Sequence, residues 1–161
     1  FVREALRTGG GQVLRFAGAR VRGDKDVVLE AVRSDGQALQ AALLSSGLHA
    51  DRAIALEAVR QDGCALPHVG TKLQGDREIV LEAVKQSWLA LQWAPEAFHD
   101  DLEIVRAAVS QEPQALRFAS DRLRSHPELL EVVREKGVYI AVAEATPKRR
   151  SGGHGRGPPL V

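Results

Sequence analysis

Aromatic side chains make up only 4% of this chain and methionine is absent, so a core must be built from Val, Leu, Ile and Ala. There is a single cysteine, Cys64. One thiol excludes an internal disulfide, and no Cys or His stands near it at metal-ligand spacing. It fits a reducing compartment, with Cys64 read as a small core-facing side chain. No apolar run approaches the roughly 18 residues that a membrane-crossing helix requires. No basic stretch followed by an apolar run and a small-residue cleavage site stands at the start. The chain opens at Phe1 inside a repeating pattern, which reads as a processed chain or a piece of a longer one. Its length suits one domain.

Charge is nearly balanced, with a net of +1, but it is unevenly placed. Lys148, Arg149, Arg150 and Arg156 lie close to the end, and no acidic residue follows Glu144. The body is mildly acidic. Residues 146–161 read as a basic, Gly/Pro-rich flexible tail with too few apolar residues to fold.

What the chain does contain is repetition. "DRAIALEAVRQDGCAL" from Asp51, "DREIVLEAVKQSWLAL" from Asp76 and "DLEIVRAAVSQEPQAL" from Asp101 are variants of one phrase, 25 residues apart. The theme also begins at Asp24 and at His126, and a partial unit precedes Asp24. The array spans residues 1–145. Such self-similarity predicts an all-α fold, a right-handed stack (solenoid) of about five to six two-helix repeats of about 25 residues. Asp24, Asp51, Asp76 and Asp101 are candidate N-caps, and Pro127 suits a first helical position after a capping His126. Ile79, Val80, Ala83 and Val84 mark one helix face. The first helix of a unit should stop near Gln86. Glycine at the next turn (Gly36, Gly63, Gly137) predicts a left-handed residue, with Trp88 and Pro113 in its place elsewhere. A second helix should carry Leu66, Leu91 and Leu116, with Val69, Ala94 and Ala119 three residues on. Val21, Leu48, Leu73, Phe98 and Leu123 close the units.

Interdependence follows from magnitudes. Ordering one unit costs on the order of 25–50 kcal/mol of backbone entropy. About eight sizeable apolar side chains, at roughly 1.5–3 kcal/mol each, do not offset it. Each unit therefore needs its neighbours.

"DREIVLEAVKQSWLALQWA", Asp76 to Ala94, resembles the tandem helical repeats of domain-of-unknown-function family 4116, with Trp88 at the usual Gly place and Trp93 at the usual Tyr place. The resemblance implies a short α-repeat array. It brings no activity, cofactor or catalytic residue with it.

Nothing in the sequence matches a catalytic or dinucleotide fingerprint. "GTKLQGD" from Gly70 has the composition of a phosphate loop but reverses its Lys and Thr. The chain is expected to be non-enzymatic, without cofactor or metal. His49 and His99 occupy equivalent places too far apart to share one ion, His68 reads as a partly buried stand-in for an aromatic ring, and His99, Asp100 and Asp101 are the one local cluster worth testing. The candidate partner-binding residues are Trp88, Arg33, Arg60, Lys85, Arg106 and Glu131. Arg33, Arg60, Lys85 and Arg134 form a basic ladder. Glu30, Glu57 and Glu82 stand three residues before the first three of these, predicting pairs within each helix. Trp88 is expected either to fold over the Trp93 or Phe98 side of its own unit or to be an exposed anchor. Arg106 and Glu131 replace the apolar column Leu29, Leu56 and Leu81, at a cap or a contact. Together these features predict a protein-protein interaction or scaffold module, in one form an accessory subunit of a larger assembly, with another protein as partner. The alternative is a nucleic-acid-associated module using the basic ladder and tail, and a third reading is an array attached to an enzyme elsewhere in a longer chain.

Overall fold

The computed structural model describes residues 2–42 and 46–136; Gly137 and the basic tail lie outside them. Among the described residues every regular element is helical. Long helices are α1 (Val2–Gly9), α3 (Lys25–Ser34), α4 (Arg52–Gln61), α6 (Arg77–Gln86), α7 (Leu102–Gln111) and α9 (Pro127–Glu135), and single turns form α2 (Ala19–Arg22), α5 (Thr71–Gln74) and α8 (Asp121–Arg124). Each long helix from α1 to α7 is followed, after one intervening residue, by a six-residue 3-10 segment. These segments are Gly11–Phe16, Gly36–Ala41, Gly63–His68, Trp88–Trp93 and Pro113–Phe118.

The N-caps are those expected. Oδ1 of Asp24, Asp51, Asp76 and Asp101 accepts the backbone N–H groups two and three residues on, at 2.9–3.4 Å. His126 occupies the same place, but its side chain makes no capping bond.

The second half of each unit is not an α-helix. The three-residue step from Leu66 to Val69, Leu91 to Ala94 and Leu116 to Ala119 is the step of a 3-10 turn, and in each pair the later N–H donates to the earlier carbonyl. The expected left-handed turn is also absent. Among the described residues only Gly10 and Gly47 have positive φ. The long helices end instead on an extended residue, Asp35, Asp62, Ser87 or Glu112. Asp35, Asp62 and Glu112 then cap the 3-10 segment by accepting the N–H of Gln37, Cys64 and Gln114. One acidic residue both ends the α-helix and starts the tighter turn.

Glycine at the next position answers to space. A Cβ on Gly11, Gly36 or Gly63 would lie 2.6, 2.4 or 2.2 Å from the carbonyl oxygen of Ala31, Ala58 or Ala83 in the following long helix. The 3-10 segments press directly on the backbone of the next unit there.

Packing runs in two parallel rows. α1 lies on α3, α3 on α4, α4 on α6, α6 on α7 and α7 on α9, while each six-residue 3-10 segment lies on the next. One core cluster extends from Leu6 to Val133, including Val28, Ile54, Ile79, Leu91, Ile104 and Leu129, all fully buried. Leu48 and Leu123, two of the unit-closing residues, belong to it, and Val21, Leu73 and Phe98 pack against it. Cys64 is half-buried on the 3-10 row rather than in the core, with its Sγ 3.8 Å from Ser87 Oγ.

Candidate functional site: the helix row and the 3-10 ridge

The charge ladder works between units. Arg60 Nε donates to Glu82 Oε2 of the next helix at 3.1 Å, and Arg33 Nε lies 3.8 Å from Glu57 Oε1. The pair expected within α6, Lys85–Glu82, is found at 3.3 Å. Arg33, Arg60 and Lys85 therefore face carboxylates already, and they form no open cationic stripe. Arg134 is the penultimate residue of α9, as the others are of their helices. Arg106 pairs with Glu128 of the next helix at 3.1 Å. Glu131 and Arg134 line a shallow depression at the α9 end with Ser125, Pro127 and Leu130.

A second ladder escaped the sequence reading. Lys25, Arg52 and Arg77 are the first residues of their helices, where a cation opposes the helix dipole. Each reaches the capping aspartate of the next unit: Lys25 Nζ to Asp51 at 2.5 Å, Arg52 Nε to Asp76 at 3.2 Å, Arg77 Nε to Asp101 at 2.7 Å. Arg52 and Arg77 also hold Glu78 and Glu103. The ladder stops where both halves vanish, because Leu102 replaces the cation and His126 the aspartate. The misplaced N-terminal cation was the signal available in the sequence.

These pairs set the acid response. The Lys25 hydrogen bond holds Asp51 below the usual carboxylate range, and Arg77 does so for Asp101. At Asp76 partial burial pushes upward, but Arg52 and the capping N–H groups outweigh it. Arg60 lowers Glu82. Carboxyls lowered in the folded state give stability that is present above their unfolded pKa and is lost as pH falls through the folded value.

A third column ties three of the 3-10 segments near their ends. His99 Nε2 lies 2.9 Å from Leu91 O, Gln74 Nε2 donates to Val69 O at 2.8 Å, and Arg124 Nε donates to Ala119 O at 3.0 Å. Asp100 is held by Ser120 and Arg122, and Asp101 by its cap and Arg77. The His99–Asp100–Asp101 cluster is thus committed to internal bonds, and among the described residues no group of three or more His, Cys, Asp or Glu is placed to hold a metal ion. In "GTKLQGD", Gly70 N–H donates to His49 O at 2.7 Å and a Cβ there would meet that oxygen at 3.0 Å, so the loop is a joint between units.

Burial lowers the pKa of His49 and of His68 from the ordinary 6.5; each cation would also meet a neighbouring positive group, His68 for His49 and Arg15 for His68. His68 is partly buried at the aromatic register position, as expected, and its Nε2 lies 3.2 Å from Gln37 Oε1. Below about pH 6.5 the unfolded chain takes up protons that the folded chain resists, so stability falls on acidification until the folded pKa values are passed. A Tm that drops between pH 7.5 and 5.5, and drops less in His49→Gln/His68→Gln, is the expected result; thermal melts in matched ionic strength check it. A larger fall should follow below about pH 4, where the lowered carboxylates protonate.

The 3-10 row presents a different surface. Trp88 is half-buried and packs across the junction on Phe118 of the next unit, with ring centroids 6.2 Å apart. It is neither folded on its own unit nor a freely exposed anchor. Arg117 lies over both rings, 4.7 Å from the Phe118 centroid and 5.8 Å from that of Trp88. Phe16 is 90% exposed and Trp93 is 52% exposed. Both are the last residue of their 3-10 segment, in register with His68 and Phe118. The residues just before them are Arg15, Gln40, Pro67, Gln92 and Arg117, all exposed. The five segments, GQVLRF, GQALQA, GCALPH, WLALQW and PQALRF, contain no Asp or Glu.

Among the described residues no helix is long and apolar enough to cross a membrane. No curated protein and no solved structure matches the chain. The family model described as Domain of unknown function (DUF4116) matches residues 51–99 and again 76–124, two overlapping stretches offset by one unit, so that residues 51–124 carry repeats similar to those of that family.

Proposed function

We propose that this chain is a solenoid of about five to six units, wound right-handed, that acts as a non-enzymatic protein-interaction or scaffold module, in one form as an accessory subunit of a larger assembly. Its binding face is the 3-10 ridge. The observation that carries this reading is the coincidence of Phe16 and Trp93, two exposed large apolar side chains at one register position of that ridge. Isolated exposed aromatics are ordinary, but aromatics in register on segments that themselves contain no Asp or Glu form a row that a partner can follow. The helix row suits binding less well, since Arg33, Arg60, Lys85 and Arg106 already face carboxylates.

Nucleic acid fits this ridge poorly. Affinity for phosphates grows with the number of cations engaged, and the five segments carry only Arg15 and Arg117, at opposite ends of the array.

A photo-crosslinking amino acid placed at Gln92 should capture a protein from the native source, and the same group at Arg33 should not. Capture from Arg33 alone would move the binding face to the helix row. Trp93→Ala should weaken the captured complex by roughly 1–3 kcal/mol, the scale of an interface aromatic, without lowering Tm, because that ring is half exposed.

A further inference from the structure

Resting on that reading, we propose that the ridge around Trp88, Trp93, Arg117 and Phe118 binds an extended, acidic peptide segment of the partner, with a carboxylate on Arg117 and an apolar side chain against Trp93. Among the described residues Arg117 makes no ion pair with a carboxylate, in contrast to Arg33, Arg52, Arg60, Arg77, Arg106, Arg122 and Arg124. Its guanidinium carbon lies over the Trp88 and Phe118 rings, which favours one placement of the group while leaving N–H groups to donate. A planar donor set of this kind matches a carboxylate in the two-bond manner.

The surroundings favour an acceptor-rich ligand. Gln92 and Gln114 are exposed, and their amides add donors near the same junction. The carboxyl of Glu112, next to Pro113, is turned to the N–H of Gln114. Glu96 belongs to the following segment, Glu96–Asp100, and is the first acidic residue after Trp93. A carboxylate entering here meets one unpaired guanidinium and several amides, whereas a Lys or Arg side chain meets no acceptor of opposite charge within the segments themselves. The scarcity of cations separates this site from one for a polyanion, which needs a row of them.

The test uses the full chain and three fluorescein-labelled probes: a short peptide alternating Asp and Phe with Gly spacers, its Lys-for-Asp counterpart, and a short oligouridylate. Anisotropy gives affinity, and the emission of Trp88 and Trp93 reports location, since the chain has no other tryptophan. The Asp peptide should bind at least about tenfold more tightly than the Lys peptide, a difference of about 1.4 kcal/mol. Arg117→Glu should reverse that order, while Arg52→Gln, on the helix row, should leave it unchanged. Glu96→Gln should strengthen the Asp peptide slightly. Equal affinity for the two peptides, or indifference to Arg117→Glu in a variant with unchanged circular dichroism, would overturn the proposal. Preferential binding of the oligouridylate with steep salt dependence would overturn it in favour of nucleic acid. If the peptides fail while the Gln92 crosslink persists, the acidic-segment inference is lost and the ridge reading stands.

Discussion

Val84→Asp is expected to abolish cooperative folding of the whole described array, not just of its own unit. Val84 is fully buried in the central helix α6, and α6 packs on α4 on one side and α7 on the other. A carboxylate there finds no cation. The charges of α6 that carry partners, Arg77, Glu78, Glu82 and Lys85, are on its solvent side. An unpaired buried charge costs several kcal/mol even after relaxation, against a total stability of about 5–15 kcal/mol for an ordinary domain. Removing α6 also removes the cover of both neighbours, because no unit buries enough apolar surface to stand alone. The expected measurement is a far-ultraviolet circular dichroism spectrum that loses most of its helical signal at 25 °C, with uniform amide exchange from α3 to α9. A variant that keeps protection in α3 and α9 while only α6 exchanges would show that the units are nearly independent. Leu91→Ala, which leaves a cavity without a charge, serves as the graded companion, at about 2–5 kcal/mol.

The long helices α3, α4, α6 and α7 are legible because three independent signals agree at each of them. Asp76 caps the start, Ile79, Val80, Ala83 and Val84 give the 3.6-residue face, and the phrase recurs 25 residues on. In the second half of each unit Leu66, Leu91 and Leu116 are buried together on one side as expected, but the geometry is that of a 3-10 turn and not of an α-helix. "ALPHV" and "ALQWA" place apolar residues three apart, a spacing shared by one α-helical face and a 3-10 turn, and periodicity over six residues does not separate them. Pro67 within the segment and Asp62 before it were the better guides, since a capping side chain followed by a short apolar triplet favours a turn over an extended helix. The charge ladder is legible only in part for a related reason: the Glu82–Lys85 pair within α6 is present, and the Arg60–Glu82 pair between units stands beside it. Sequence shows Glu82 three residues before Lys85, but it does not show that Arg60 of the preceding unit is equally near. In a stack the neighbour across the junction competes with the neighbour along the helix, and a guanidinium is long enough to choose the former. The ridge was legible only in part. Trp88 stands out because it replaces a glycine, yet the rings that stay open are Phe16 and Trp93, aromatics at a position where aromatics recur. Arg117 became visible only when its distance to two rings in different units was known.

Gly63→Ala should destabilise the protein by about 2–3 kcal/mol, far more than a methyl group does on an open helix. Gly63 has ordinary negative φ, so backbone strain is not the cause. Its missing Cβ would sit 2.2 Å from Ala83 O and 3.1 Å from Gln86 Oε1. Neither atom moves freely. Ala83 O accepts the N–H of Ser87 at 2.9 Å, and Gln86 Oε1 accepts the N–H of Gly63 itself at 2.6 Å. Relieving the contact means sliding α6 away from the Gly63–His68 segment, and α6 is held to α4 by Arg60–Glu82 and by the buried faces of both helices. Overpacking of this kind costs about 1–3 kcal/mol. In a chain of this size that lowers Tm by roughly 5–10 °C. Trp88 and Pro113 at the same register show that the position is not barred to side chains in principle. At Trp88 the N–H is still taken by the last glutamine of the next helix, Gln111, at 3.0 Å, so the stitch is kept while the packing beneath it differs. The cost at Gly63 therefore belongs to the α4–α6 junction and not to the unit's backbone conformation. Gly18→Ala is the control, since Gly18 has φ −64° and nothing within 4 Å of a new Cβ. It should leave Tm unchanged or raise it slightly by narrowing the unfolded ensemble. Equal melting temperatures for Gly63→Ala and Gly18→Ala would mean that the junctions are loose enough to absorb a side chain, and the coupling argued for Val84 would weaken with them.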